Sequence, residues 1–106
     1  MKLNVADALG RLRSDNQLFL PLFSHGSLTV EIYQPQGQDL QKPHTRDELY
    51  VIATGRSRFT LEGQSWDVVP GDVLFVPALA EHRFLDFSSD FSTWVFFYGP
   101  EGGEQA

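Results

Sequence analysis

Cysteine is absent from the 106-residue chain. That absence removes disulfides, thiolate metal sites and cysteine nucleophiles together. Positive charge is scarce as well: eight Lys and Arg stand against fourteen Asp and Glu, for a net charge of −6. The cations form no stripe, so neither nucleic acid nor an anionic membrane is expected as a partner. No apolar run approaches the roughly 20 residues of a membrane-spanning helix. The stretch Met1 to Asn16 mixes charged and apolar residues without the continuous apolar centre of a signal peptide. The cytoplasm is therefore the expected location. Repeats, linkers and low-complexity segments are also missing, and one domain over residues 1–106 is expected.

What is present leans towards β structure. Aromatic residues make up 13% of the chain, nine of them Phe. A domain this short buries a small core, so a homodimer is expected to cover open sheet edges. Asn4 is placed to cap a short helix from Val5 to about Arg13, with Val5, Ala8, Leu9 and Leu12 at helical spacing. Residues 1–16 form the N-terminal helical segment in this reading.

The rest reads as short strands. Gln17 to Ser24 and Ser27 to Gln34 flank a turn at His25-Gly26. In Leu28-Thr29-Val30-Glu31-Ile32-Tyr33, apolar and polar residues alternate, as a strand with one buried face requires. Further strands are expected over 44–53, 56–61, 65–69, 73–76, 81–87 and 91–98, and the tail 99–106 is expected to be frayed. About eight strands with turns every eight to twelve residues favour an all-β sandwich or jelly-roll barrel.

Three residues carry metal-binding chemistry. His44 and Glu48 lie four apart in Pro43-His44-Thr45-Arg46-Asp47-Glu48, and His82 follows Pro77-Ala78-Leu79-Ala80-Glu81. Two imidazoles and a carboxylate hold a first-row divalent ion while leaving coordination positions open. On a regular strand His44, Arg46, Glu48, Tyr50 and Ile52 share a face, but His44 and Glu48 stand about 13 Å apart. Joint ligation requires a bend, for which Thr45-Arg46-Asp47 is polar enough.

The two segments resemble the paired motifs of the cupin superfamily, over roughly Tyr33 to Tyr98. Gly37 opens the first motif, His44 takes its second His position, Glu48 follows after three residues and Gly55 after six more. In the second, Gly71 is followed by five residues, Pro77, and His82 at the motif offset. The 15 residues between Gly55 and Gly71 resemble the short spacing of small single-domain cupins. The chain departs from the pattern at three positions: Lys42 replaces the first His, Leu79 the motif Gly, and Asp86 the final Asn. An ammonium has no lone pair to donate. The alternatives for a fourth ligand are water, Gln41 or Asp39, and the run Asp39-x-Gln41-x-Pro43-His44-x-x-Asp47-Glu48 resembles a cupin subgroup signature.

The resemblance implies a double-stranded β-helix holding one divalent transition metal (Fe, Mn, Ni or Zn) on His44, Glu48 and His82, with a small-molecule ligand. It implies chemistry of the dioxygenase, isomerase, decarboxylase or lyase type, or else a non-catalytic ligand- or sugar-binding barrel. A barrel with a vestigial metal site is a third reading, which Lys42 fits. Candidate pocket residues are Arg46, Tyr50, Arg58, Phe84, Trp94 and Phe96, the aromatics being equally suited to the core. Arg56 is a further candidate anion anchor, and His25 is expected in solvent.

Overall fold

A computed structural model describes residues 1–105; Ala106, the last residue of the tail, lies outside the described residues. Helix α1 spans Val5–Asp15. The Asn4 side chain accepts from the Asp7 N–H at 3.2 Å, and Asn16 closes the helix in the left-handed region. Eight strands follow: β1 Phe19–His25, β2 Leu28–Tyr33, β3 Asp47–Thr54, β4 Ser57–Leu61, β5 Gln64–Val68, β6 Val73–Val76, β7 His82–Leu85 and β8 Ser92–Tyr98. They form two antiparallel sheets, ordered β1-β2-β8-β3-β6 and β5-β4-β7. This is the mostly-β jelly roll with a short N-terminal helix that the strand count and motifs predict.

The two sheets enclose an aromatic core. Tyr50, Phe59, Phe84 and Phe91 are buried between them, with edge or tilted contacts at 4.8–5.8 Å. Burial of each such side chain stabilises the fold by roughly 1.5–3 kcal/mol. Gly55 sits where the chain leaves β3 with φ +70°, and a Cβ there would meet the Phe91 Cα at 2.6 Å. Only glycine fits that approach.

The large sheet is covered on its inner face and, at the β2 end, on its outer face by α1, and this alters the reading of β2. Val30 and Ile32 point outward, where Ile32 packs with Ala8 and Leu12 of α1. Glu31 and Tyr33 therefore point into the barrel, the reverse of what their polarity suggests. Sequence alternation marks β2 correctly as a strand but not which face meets the cavity.

The strand predicted from His44 begins at Asp47 instead. The chain bends at Thr45 and Arg46, so His44 belongs to the preceding loop. The Leu79 N–H holds that loop by donating to the His44 carbonyl at 2.7 Å. Leu79 has φ +70° and Asp86 φ +53°, so both residues that replace motif Gly and Asn keep the left-handed backbone those residue types favour. In the tail, the Gly102 N–H donates to the Thr45 carbonyl and the Glu104 N–H to Asp47 Oδ2, at 2.6 and 2.8 Å.

Candidate metal centre

Glu48 is on β3 with its side chain inward, two residues past the bend. His82 opens β7, where its backbone pairs with Leu61 of β4. His44 reaches in from its loop. His44 Nε2 lies 3.9 Å from Glu48 Oε2, and His82 Nε2 lies 3.3 Å from Glu48 Oε1. All the donor atoms fall within 4.8 Å of one another. The bend at Thr45-Arg46 shortens the 13 Å that a straight strand would impose.

The donor atoms face one another without ordinary partners. Among the described residues, both Glu48 oxygens and His82 Nε2 are buried and make no aligned hydrogen bond; the 3.3 Å approach of His82 to Glu48 lacks that geometry. A buried carboxylate without donors is costly, and such atoms are rare in folded proteins. His82 Nδ1 lies 2.9 Å from the Ala80 carbonyl. A carbonyl only accepts, so Nδ1 carries a proton, and whenever the ring is neutral its Nε2 lone pair is the one turned to Glu48. Two lone-pair nitrogens and an acidic oxygen pair, aimed at one point, fit a divalent cation.

Electrostatics differ between the two imidazoles. Partial burial holds His44 below the ordinary histidine pKa, against the pull of Glu48. Burial opposes the charging of His82 also, but the Glu48 carboxylate and the Ala80 carbonyl outweigh it and raise the value. Burial and the Glu48 charge hold the Tyr50 hydroxyl well above its usual range.

The residues weighed as a fourth donor are arranged in series. Gln41 Oε1 lies 3.4 Å from His44 Nε2 and accepts from the Tyr50 hydroxyl at 2.9 Å. Asp39 is buried one step further back. Its Oδ1 accepts from the Tyr33 hydroxyl (2.7 Å) and the Gln41 N–H (3.0 Å). Its Oδ2 accepts from Gln41 Nε2 (3.2 Å) and the Phe84 N–H (2.8 Å). Four donors occupy Asp39, which fixes the amide of Gln41 and leaves no oxygen directed at the histidines. Lys42 is exposed.

Most of the predicted pocket residues lie elsewhere. The Arg46 guanidinium turns away and donates to the Gly99 and Ser27 carbonyls. Arg58 is exposed, 3.7 Å from Asp86 and bonded to Ser65. Trp94 packs in the cluster beneath α1, and Phe96 alternates with inward-facing Val95 to reach the same outer face. Phe84 and Tyr50 are core residues, and only the Tyr50 hydroxyl reaches the site. Arg56 and His25 are exposed. Sequence reasoning missed Glu31, Tyr33 and Arg83. The Arg83 guanidinium holds the Asp39 and Gln41 carbonyls, a loop clamp with no local sequence signal.

Two cavities meet the site. One of about 540 Å³ reaches His44 and Gln41 and is walled by Leu18, Phe19, Glu31, Tyr33, Leu40, Val95 and Phe97. A smaller one of about 300 Å³ reaches Gln41 and His82 from the other side, past Thr60, Glu62, Glu81 and Arg83.

A jelly roll with this cluster between its sheets defines a class, and the chain belongs to it: residues 29–95 match the cupin domain family, Cupin_2. An uncharacterized protein of Streptomyces coelicolor is 33% identical over 104 residues, covering 95% of this chain and 99% of its own. Among solved structures, a cupin-2 domain protein from Shewanella frigidimarina superposes with TM-score 0.72 at 14% identity, covering 92% of this chain and 94% of that one. The DMSP lyase DddQ from Ruegeria pomeroyi gives TM-score 0.66 at 26% identity, covering 76% of this chain and 46% of the lyase.

Proposed function

We propose that His44, Glu48 and His82 hold one divalent transition metal (Fe, Mn, Ni or Zn), and that the protein is a metal-dependent small-molecule enzyme of the dioxygenase, isomerase, decarboxylase or lyase type. One observation carries the reading: the buried Glu48 oxygens and His82 Nε2 converge without partners other than one another. Such an ion, when bound, supplies a Lewis acid or a site for activating dioxygen. The chain's own residues do the rest. His82 is fixed in one tautomer by the Ala80 carbonyl. Gln41, held between Asp39 and Tyr50, offers a neutral oxygen beside His44. The larger cavity admits a small molecule to the His44 side and, being mostly apolar, limits water there.

Elemental analysis of protein purified without chelator tests this. About one transition metal per chain is expected, and His44→Ala or His82→Ala is expected to abolish it. A metal present at 100 times its Kd stabilises the folded state by about 2.7 kcal/mol. Chelation should therefore lower the Tm by ~10 °C in a chain of this size. Full metal content in both variants, or an unchanged melting curve after verified metal removal, refutes the site. Turnover against keto acids, sugars and catechols then separates an enzyme from a non-catalytic binder.

A further inference from the structure

Among the described residues, Glu31 is the one carboxylate in the wall of the larger cavity. It is half-buried, and among the described residues its carboxylate makes no hydrogen bond or ion pair. Strand register places it between Pro21 of β1 and Val95 of β8. Tyr33, two residues on along the same face, is paired with Phe19. Phe97, two residues beyond Val95 on β8, lies towards His44, with ring centroids 4.7 Å apart in an edge contact. The acid is thus set among three aromatic side chains of the cavity: Phe19, Tyr33 and Phe97.

Among the described residues, no Lys or Arg lines this cavity. Arg83, beside the site, is committed to the Asp39 and Gln41 carbonyls and opens on the smaller cavity. A phosphate or second carboxylate entering here meets Glu31 with nothing to offset it. A cation meets a carboxylate unpaired among the described residues and three aromatic side chains, the residue types that bind ammonium groups. Burial and the charge of Glu48 both raise the Glu31 pKa; a ligand cation offsets both effects.

We infer that the substrate of this site carries a cationic group, an ammonium or alkylated onium, which Glu31 holds among Phe19, Tyr33 and Phe97 while an oxygen donor at its other end faces His44, Glu48 and His82. This rests on the metal reading above for the donor end only. Glu31 acts here as a specificity residue, and net neutrality follows from charge: a dication against Glu48 and a bound carboxylate, and the onium against Glu31.

Calorimetry on protein of verified metal content tests the inference. The probes are ω-trimethylammonio carboxylates with one to four methylenes, each paired with its tert-butyl isostere, which has the same shape and no positive charge. At least one cationic probe is expected to bind tenfold or more tightly than its isostere. Glu31→Gln should erase that preference with metal content unchanged and no loss of thermal stability, and Glu31→Asp should retain part of it. Tetramethylammonium, which has no donor for a metal, is expected to shift the Tyr33 and Phe97 ring resonances in wild-type protein, metal-loaded or metal-free, and not in Glu31→Gln. Equal affinities within every pair, binding by neither series, or a preference that survives Glu31→Gln overturns the inference and leaves the metal reading intact. Protein that takes up no metal when offered it, yet still responds to tetramethylammonium, refutes the metal reading and keeps the cation site.

Discussion

Asp39 shows how two roles for one residue are told apart. The subgroup signature makes it a candidate ligand, whereas its carboxylate takes four hydrogen bonds from Tyr33, Gln41 and Phe84. A ligand's loss empties the site and spares the metal-free fold. Loss of a buried hub leaves donors unpaired, each at about 1–3 kcal/mol. Asp39→Ala is therefore expected to destabilise the metal-free protein by about 3 kcal/mol or more. Denaturant unfolding of chelated wild type and variant measures this, and equal midpoints would return Asp39 to the ligand list. His44, Glu48 and His82 were legible because two motifs keep their spacing through several substitutions. Gln41's anchoring was not, because it depends on Arg83 and Phe84, remote in the chain. Glu31 was hidden by its chemistry: polarity along a strand usually marks solvent, and here it marks a cavity.

At the level of elements, the join between β3, the β6–β7 loop and the tail runs through Asp47. Its Oδ1 accepts from the Ala78 N–H at 2.9 Å, and its Oδ2 from the Glu104 N–H at 2.8 Å. Those two backbone donors hold its pKa below the ordinary 3.8. A depressed folded-state value means that the stabilisation is present above pH 3.8 and is lost as pH falls through the folded value. Asp47→Asn, which can match only one of the two donors, is expected to be less stable at neutral pH and to lose less between pH 5 and pH 2. Melting curves across that range check it; parallel losses in both proteins would show that Asp47 is not the acid-sensitive join. The same region explains the misplaced start of β3. The polar run from Lys42 to Asp47 carries no mark of where pairing starts, and the Leu79 bond to the His44 carbonyl and the Gly102 bond to the Thr45 carbonyl take up backbone groups that a longer strand would use. Long-range bonds of that kind leave no periodic trace. The helix was legible from its stripe and cap, since both are local.

Over the whole molecule, α1 covers only one end of the large sheet's outer face. At the other end Leu49 pairs across strands with Phe75, and Val51 with Val73. Phe75 is 48% exposed and Val73 63%. The strand that carries them, β6, pairs with β3 alone among the described residues, so its second edge has no strand partner there. A free apolar edge strand invites another chain, and a second copy related by a two-fold axis presents the same patch and edge in return. A homodimer through β6 is the arrangement we propose. Sedimentation at micromolar concentration should give the mass of two chains. Phe75→Glu removes two aromatic side chains from the joint surface, about 3 kcal/mol on burial alone, which corresponds to roughly a hundredfold weaker association. The variant should sediment as a monomer with its metal content unchanged, because Phe75 faces away from the barrel interior. A monomeric wild type excludes the dimer, and a dimer that survives Phe75→Glu moves the contact to another face.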